Sequence, residues 1–322
     1  IRDSSYTAAD SGPYSPIVLS SFWFYKFYGA NDNYYAWISI DESAGLIPGE
    51  GFTMKGSSGA ADIVNDLQNY VFKGKPNNGD IIVPLDKNVT AENPSGNIDR
   101  LVGNPYPSAL DATEFILDNL SLADGGNNVN GTIFNGAIYF WDHFGVANTH
   151  ILEDYIGGYA TRNLIAGAPA IANDTRINAT GGSGTKIPGQ YVPVNQGFFV
   201  TTSLNGFNND NEVPIAAVDG GDVVFKNSQR VFVRESSTDS NFLRSSSTSS
   251  DQGQEQSNNS LIRLTLDSPM GLHRQIVLGS DDNASIGFDI GYDAFMADVN
   301  QEDMYWVIDE ERFVIQGVDQ FN

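Results

Sequence analysis

The chain has 322 residues, of which 40 are acidic and 17 are basic, so its formal net charge is -23. This charge opposes binding to phosphate backbones and to anionic membrane surfaces, so we expect no nucleic-acid binding. No apolar run reaches the roughly 18 residues needed to span a bilayer, so we expect no membrane insertion. The chain contains no cysteine, which excludes disulfides, thiolate metal sites and cysteine nucleophiles.

The first part of the chain predicts β-strands that follow a polar arm. Residues 1–16 are polar and show no signal-peptide pattern, and the abrupt chain ends favour a fragment of a longer protein. Residues 17–29 and 34–40 are rich in β-branched and aromatic side chains, which predicts a hairpin. A third strand is predicted in residues 46–56, entered through Pro48-Gly49.

A second hairpin is predicted around the dipeptide Asn78-Gly79. This dipeptide is among the strongest hairpin turn signals, and it separates the apolar segments 69–73 and 80–85. The sequence therefore predicts that these two segments pair with each other.

The stretch Leu101–Asn119 combines a strand end, a rigid turn and a helix. In Asn104-Pro105-Tyr106-Pro107, each residue before a proline is kept out of the α region, so the segment stays extended or turns. Ser108 or Asp111 can cap the helix that follows, and Glu114 completes a capping-box pattern with Asp111. We interpret the stretch as a fixed crossover between sheets and retain only Tyr106 there as a candidate binding residue.

The rest of the chain continues with strands and one low-complexity segment. Strands are predicted in residues 132–142, 191–202 and 213–234, and closing strands in LIRLTLD, HRQIVLG, MYWVID and RFVIQGV. The fold class is therefore all-β, mainly antiparallel, of the β-sandwich or jelly-roll type, with one or two short helices.

A division of the chain follows from its composition. Residues 1–235 form the main β-sandwich region, and residues 236–260, rich in Ser, Asn and Gln, form a mobile loop or linker. Residues 261–322 either close the same domain or begin a second β domain.

The candidate site with the most reactive side chains is Trp141-Asp142-His143 with His150. Histidine offers a base near neutral pH and an aspartate could orient it, although a structural role for these residues is the simpler interpretation. The spacing matches no metal template, and we find no catalytic constellation. The run Gly181–Thr185 resembles part of a phosphate loop without its Gly-Lys-Ser/Thr ending, and we interpret it as a flexible tip.

The acidic side chains suggest structural calcium as the one cofactor to consider. Asp and Asn oxygens are ligands that calcium takes, although no segment fits the EF-hand loop. The candidate ligands are Asp124, Asn128, Asp219, Asp222, Asp281 and Asp282.

Aromatic side chains open a second possibility, a sugar-binding surface. The four tryptophans and fourteen tyrosines could stack against sugar rings beside Asn and Asp side chains. Packing of the aromatic residues in a β core is the alternative.

Several sequence blocks resemble, in their joint order, large secreted or cell-surface proteins of Bacteroidota that the type IX secretion system exports. The resemblance covers most of residues 45–322 and rests on LIPGEGFTMKG, YVFKGKPNNGDI, LVGNPYPSALDATEFILDN, IYFWDH followed by GGYA, FKNSQRVFVRE, LIRLTLDSPMGLHRQIVLG and MYWVIDEERFVIQGV. In such proteins a region of this kind precedes a C-terminal β-sandwich sorting domain. The resemblance implies an extracellular, cell-surface location and transfers no catalytic residue.

Together these observations predict a non-enzymatic structural or adhesive module of a large surface or filament protein. Its expected partners are other domains of the same polypeptide or neighbouring subunits. The alternative is a carbohydrate-binding β-sandwich module that recognises surface glycans, attached in some cases to a glycan-cleaving enzyme.

Overall fold

The computed structural model describes residues 2–3, 19–30, 33–41, 44–54, 72–145, 156–173, 181–204, 218–233, 260–269, 271–296 and 299–321. Within these residues the protein is mainly antiparallel β-sheet with one α-helix, which confirms the all-β prediction. In the same ranges, no helix is both long enough and apolar enough to cross a membrane.

The strands are numbered in chain order. Their bounds are β1 Arg2–Asp3, β2 Leu19–Ser20, β3 Tyr25–Gly29, β4 Trp37–Ser39, β5 Ile81–Leu85, β6 Asp99–Gly103, β7 Ala109–Asp111, β8 Ile138–Gly145, β9 Ile156–Arg162, β10 Gly167–Ala168, β11 Ile171–Ala172, β12 Gly182–Ser183, β13 Tyr191–Val192, β14 Gly197–Thr201, β15 Gly221–Phe225, β16 Arg230–Val231, β17 Leu261–Asp267, β18 His273–Ser280, β19 Ala294–Phe295, β20 Trp306–Ile308 and β21 Glu311–Val318. The helix α1 spans Ala112–Leu117, and short 3-10 turns lie at Ser21–Trp23, Tyr34–Ala36, Leu122–Asp124 and Asn227–Gln229.

Two larger sheets dominate the described residues. The seven-stranded sheet has the order β10-β9-β8-β14-β6-β3-β4, and all of its pairs are antiparallel. The five-stranded sheet has the order β17-β18-β21-β19, with β20 also paired to β21. Smaller sheets are formed by β13-β7-β16, β15-β5, β11-β12 and β1-β2.

Strand β14 shows how the seven-stranded sheet buries both of its faces. Phe198 and Val200 belong to the larger buried cluster, whereas Phe199 between them packs in a smaller cluster with Phe27 and Tyr139. Successive side chains of a strand point to opposite faces, so β14 separates two apolar layers. This sheet is therefore covered on both sides along its central strands.

The larger cluster draws side chains from distant parts of the chain. Phe115 of α1 stacks on Phe225 of β15, with ring centroids 4.9 Å apart, and meets Phe198 edge-on. Val277 of β18 and Ile315 of β21 belong to the same cluster. The predicted division into domains stays a prediction, and most of residues 236–260 lie outside the described ranges.

Helix α1 forms where the sequence predicts it. Asp111 caps its first turn, because its Oδ1 accepts the backbone N–H of Thr113 at 3.0 Å and that of Glu114 at 3.4 Å. Phe115 and Ile116 are fully buried in the larger cluster. The cap and the apolar spacing thus direct one face of the short helix into the core.

The hairpin of β3 and β4 confirms the first predicted hairpin. Strands β17 and β18, both predicted from the sequence, pair with each other. One prediction is wrong, because residues 46–54 of the predicted third strand contribute only an isolated bridge between Glu50 and Val102 of β6.

Strand β5 pairs with β15, and its Val83 and Leu85 lie in the larger cluster. Of the segment 69–73 that the sequence predicts as its partner, residues 72–73 form no strand and residues 69–71 lie outside the described residues.

A buried ion pair fixes the end of β18. Arg274 donates through Nε and Nη2 to the two carboxylate oxygens of Asp303, both at 2.7 Å. The Asp303 carboxylate also accepts the backbone N–H groups of Asn300 and Met304. Both side chains of the pair are almost fully buried. Bidentate geometry and two extra donors compensate the cost of burying the charges.

Replacing Asp303 with asparagine tests this ion pair. The Asp303→Asn variant leaves the buried Arg274 guanidinium without its carboxylate, and we expect a loss of about 3–5 kcal/mol in the free energy of unfolding. Urea denaturation measures this loss. Asp267→Asn is the matched control, because Asp267 pairs with His273 on the surface of the same sheet at 2.6 Å. Equal effects of the two substitutions would contradict the assignment.

Candidate functional site

Strand β8 separates the residues of the predicted Trp141-Asp142-His143 site. Phe140 lies in the larger cluster and Tyr139 in the smaller one, so Asp142 shares the face of Phe140. Trp141 and His143 lie on the opposite face. Asp142 therefore does not orient the His143 imidazole, which corrects that interpretation. His150 lies outside the described residues.

Asp142 contacts a lysine that the sequence analysis did not single out. The Asp142 side chain is 1% exposed, and Lys186 Nζ lies 3.3 Å from its Oδ1. Burial raises the pKa of Asp142, and the positive charge of Lys186 opposes that increase. A largely buried ion pair between Asp142 and Lys186 therefore connects β8 to the segment after β12.

Trp141 lies at one end of a chain of aromatic contacts on the opposite face. We call Trp37, Phe27, Phe199, Tyr159 and Trp141 the aromatic band, and successive ring centroids along it lie 5.0–5.6 Å apart. Its members come from β4, β3, β14, β9 and β8. Burial raises the pKa of the Tyr159 hydroxyl, and Asp99 adds to that increase.

The exposed fraction of Trp141 distinguishes it from most of the band. Trp141 is 40% exposed, whereas Phe27 and Phe199 are buried and Trp37 and Tyr159 are partly buried. The Trp141 ring meets Tyr159 edge-on at 5.2 Å, a geometry that aromatic pairs favour. One indole is thus held in a fixed orientation at the surface of a packed aromatic layer.

Tyr106, the candidate binding residue of the predicted crossover, is buried and has a structural role. Its side chain is 1% exposed, its hydroxyl donates to the Gly79 carbonyl at 2.8 Å, and the Arg230 guanidinium lies 5.1 Å from its ring centre. Burial raises the pKa of Tyr106 to about 12, and Asp80 contributes to that increase. Asn104 shapes the turn, because its Oδ1 accepts the Tyr106 N–H at 3.1 Å.

The calcium candidates Asp124 and Asp219 both accept a hydrogen bond from Thr132. The Asp124 Oδ2 accepts the hydroxyl of Thr132, and the Asp219 Oδ2 accepts the backbone N–H of the same residue at 3.0 Å. Asn128 lies nearby in sequence, and its Oδ1 accepts the N–H of Asn130. These oxygens therefore stabilise the loop between α1 and β8 through hydrogen bonds.

The remaining calcium candidates are Asp222, Asp281 and Asp282. Asp222 is exposed on β15. The Asp281 Oδ1 accepts the backbone N–H of Asn283 at 2.9 Å, and Asp282 is exposed. Among the residues that the structure describes, no three His, Asp or Glu side chains form a group suited to a metal ion. Calcium binding at these positions stays a prediction.

Asp293 is a buried carboxyl group that the sequence analysis missed. Its Oδ1 accepts the N–H of Gly317 at 2.9 Å and its Oδ2 accepts that of Asp289 at 2.7 Å. Burial raises the pKa of Asp293 to about 7, and the two backbone hydrogen bonds partly oppose this increase. Asp293 fastens the turn before β19 to β21, a role that no local pattern in the sequence indicates.

The pKa of Asp293 predicts a pH-dependent contribution to stability. A folded-state pKa of about 7, above the ordinary value of 3.8, means that the folded chain binds this proton more tightly. The contribution is complete below about pH 4 and falls, on the order of a few kcal/mol, as the pH rises to about 8. The difference in unfolding free energy between the native chain and Asp293→Asn should therefore shrink over this range.

Urea denaturation at a series of pH values measures this difference. Asp282→Asn is the control, because it removes an exposed carboxylate from the preceding loop. Its stability should follow that of the native chain at every pH. Parallel profiles for the native chain and Asp293→Asn would show that Asp293 titrates normally.

Comparison with known families gives one match. A family model described as a domain of unknown function, DUF8693, matches residues 4–322. No curated protein and no solved structure matches the chain. Because the family model covers almost the whole chain, the chain belongs to the DUF8693 family.

Proposed function

We propose that this member of the DUF8693 family is a non-enzymatic structural or adhesive module of a large surface or filament protein. Its proposed location is the outside of the cell, as the resemblance to type IX secreted proteins of Bacteroidota implies. Its proposed partners are other domains of the same polypeptide or neighbouring subunits.

This proposal rests on buried charged and polar side chains that form hydrogen bonds between elements distant in the chain. The Asp118 carboxylate accepts Lys226 Nζ at 2.9 Å and Gln229 Nε2 at 2.9 Å, which joins α1 to the segment after β15. Asn119 forms hydrogen bonds with both the N–H and the carbonyl of Val224, as a paired strand would. Such contacts hold separate elements in one geometry, which suits a module that transmits or resists force.

The charge of the chain agrees with an exposed, solvated role. A net charge of -23 keeps copies of the chain apart and favours solubility. A partner surface would then need basic groups or bound cations at the contact. We therefore expect attachment to weaken as the salt concentration rises.

Surface labelling and cell attachment test the proposal together. Exposed Lys73 and Lys75 should react with a membrane-impermeant amine label in intact cells as they do after lysis. Deletion of the coding sequence should lower the number of cells retained on a surface under flow, and the native gene should restore it. Labelling only after lysis would overturn the location, and unchanged attachment would overturn the adhesive role.

Carbohydrate binding is the second candidate, and the exposure of Trp141 favours it. An indole that is fixed edge-on against Tyr159 and 40% exposed can stack on a sugar ring without losing much side-chain freedom. The other residues of the aromatic band would hold the Trp141 indole in this orientation when a ligand binds.

A glycan array with the purified chain tests this second candidate. Trp141→Ala should lower glycan binding at least several-fold, because it removes the stacking ring. Phe232→Ala is the matched control, since Phe232 is 99% exposed and lies outside the aromatic band. Equal loss in both variants, or no binding by the native chain, would exclude a sugar site at Trp141.

A further inference from the structure

Among the described residues, Lys186 is the charged neighbour of the buried Asp142 carboxyl group, which has few hydrogen-bond partners. Lys186 Nζ lies 3.3 Å from Oδ1 and is the donor that opposes the raised pKa of this carboxyl group. No other residue that the structure describes donates a hydrogen bond to either oxygen. Buried carboxylates normally accept several hydrogen bonds, since an unsatisfied buried charge is costly. Asp142 is therefore held in an unfavourable environment beside an amine.

The local fold brings these two groups together. Strand β12 pairs with β11, and the N–H of Gly184 donates to the Ala170 carbonyl at 2.8 Å, which directs this segment across the face of β8. A Cβ at position 184 would lie 2.2 Å from Asp142 Oδ2, so only glycine permits this approach. Lys186 follows two residues later and reaches the carboxyl group. The glycine-rich run is thus an ordered packing element, which corrects its interpretation as a flexible tip.

We propose that Lys186 and Asp142 condense to form an intramolecular amide cross-link. The reaction begins when the Lys186 ammonium transfers a proton to the Asp142 carboxylate, giving a neutral amine and a neutral acid. The Nζ then attacks the carboxyl carbon and forms the N–C bond. The C–O bond to the hydroxyl breaks, the hydroxyl leaves with a proton from nitrogen, and the products are one amide and one water.

The surroundings of the pair favour each step. Burial raises the pKa of Asp142, which favours the neutral acid that can be attacked. Lys186 Nζ lies 3.3 Å from Asp142 Oδ1, which holds the amine beside the carboxyl group whose carbon it would attack. The Lys186 side chain is 26% exposed, which gives the released water a path to solvent. The reaction consumes no oxidant and needs no cofactor.

The cross-link would join β8 covalently to the segment after β12. The chain contains no cysteine, so disulfides cannot supply such a connection. Closing the chain between these residues restricts the unfolded state in the way that a disulfide does. This inference does not depend on the adhesive role, because it concerns only the two side chains and their packing.

Intact-mass spectrometry of the denatured native chain tests the cross-link. The measured mass should be lower than the sequence mass by one water. Fragment spectra after proteolysis should contain a branched peptide in which the segment with Asp142 is joined to Lys186. The Lys186→Arg variant keeps the positive charge, but its guanidinium does not condense, so its mass should equal the sequence mass.

Each alternative result decides against the cross-link. A native chain with the full sequence mass and no branched peptide would leave the pair as an ordinary ion pair. Loss of water that persists in Lys186→Arg would place the dehydration at another residue. The native measurement stands by itself even where the variant folds poorly, since it requires no comparison to detect the missing water.

Discussion

The structure depends on the alternation of side chains along the central strands of the seven-stranded sheet. In β14 and β8, neighbouring residues enter different apolar clusters, so both faces of the sheet are packed. A shift of one residue in register would move Phe199 into the layer that holds Phe198, and every neighbouring contact would change with it. The same alternation decides the chemistry, because it separates Asp142 from Trp141 and His143 and directs it to Lys186.

Buried polar groups connect elements that the apolar clusters alone would leave loosely oriented. Asn119 joins α1 to β15, Asp293 joins the turn before β19 to β21, and Arg274 binds Asp303 at the end of β18. Apolar contacts are not directional, whereas hydrogen bonds and bidentate ion pairs fix distance and angle. These groups therefore determine how the layers are placed relative to one another in the described residues.

The two proposals use different parts of the sheet. The aromatic band ends at the exposed indole of Trp141, on the face that could meet a glycan or a neighbouring domain. The Asp142–Lys186 pair lies on the other face, where it fastens the packed side of the same strand. In the two proposals, one strand contributes to recognition through one set of residues and to cohesion through the alternate set.

The sequence by itself determined the all-β class, the helix capped by Asp111 and the local hairpin of β3–β4. Each depends on contacts between residues close in the chain, where periodicity and capping patterns act. Only the tertiary structure decided that β5 pairs with β15, that Tyr106 is buried, and that Lys186 lies beside Asp142. These contacts join distant residues, and their free energy comes from shared burial, which no local pattern records.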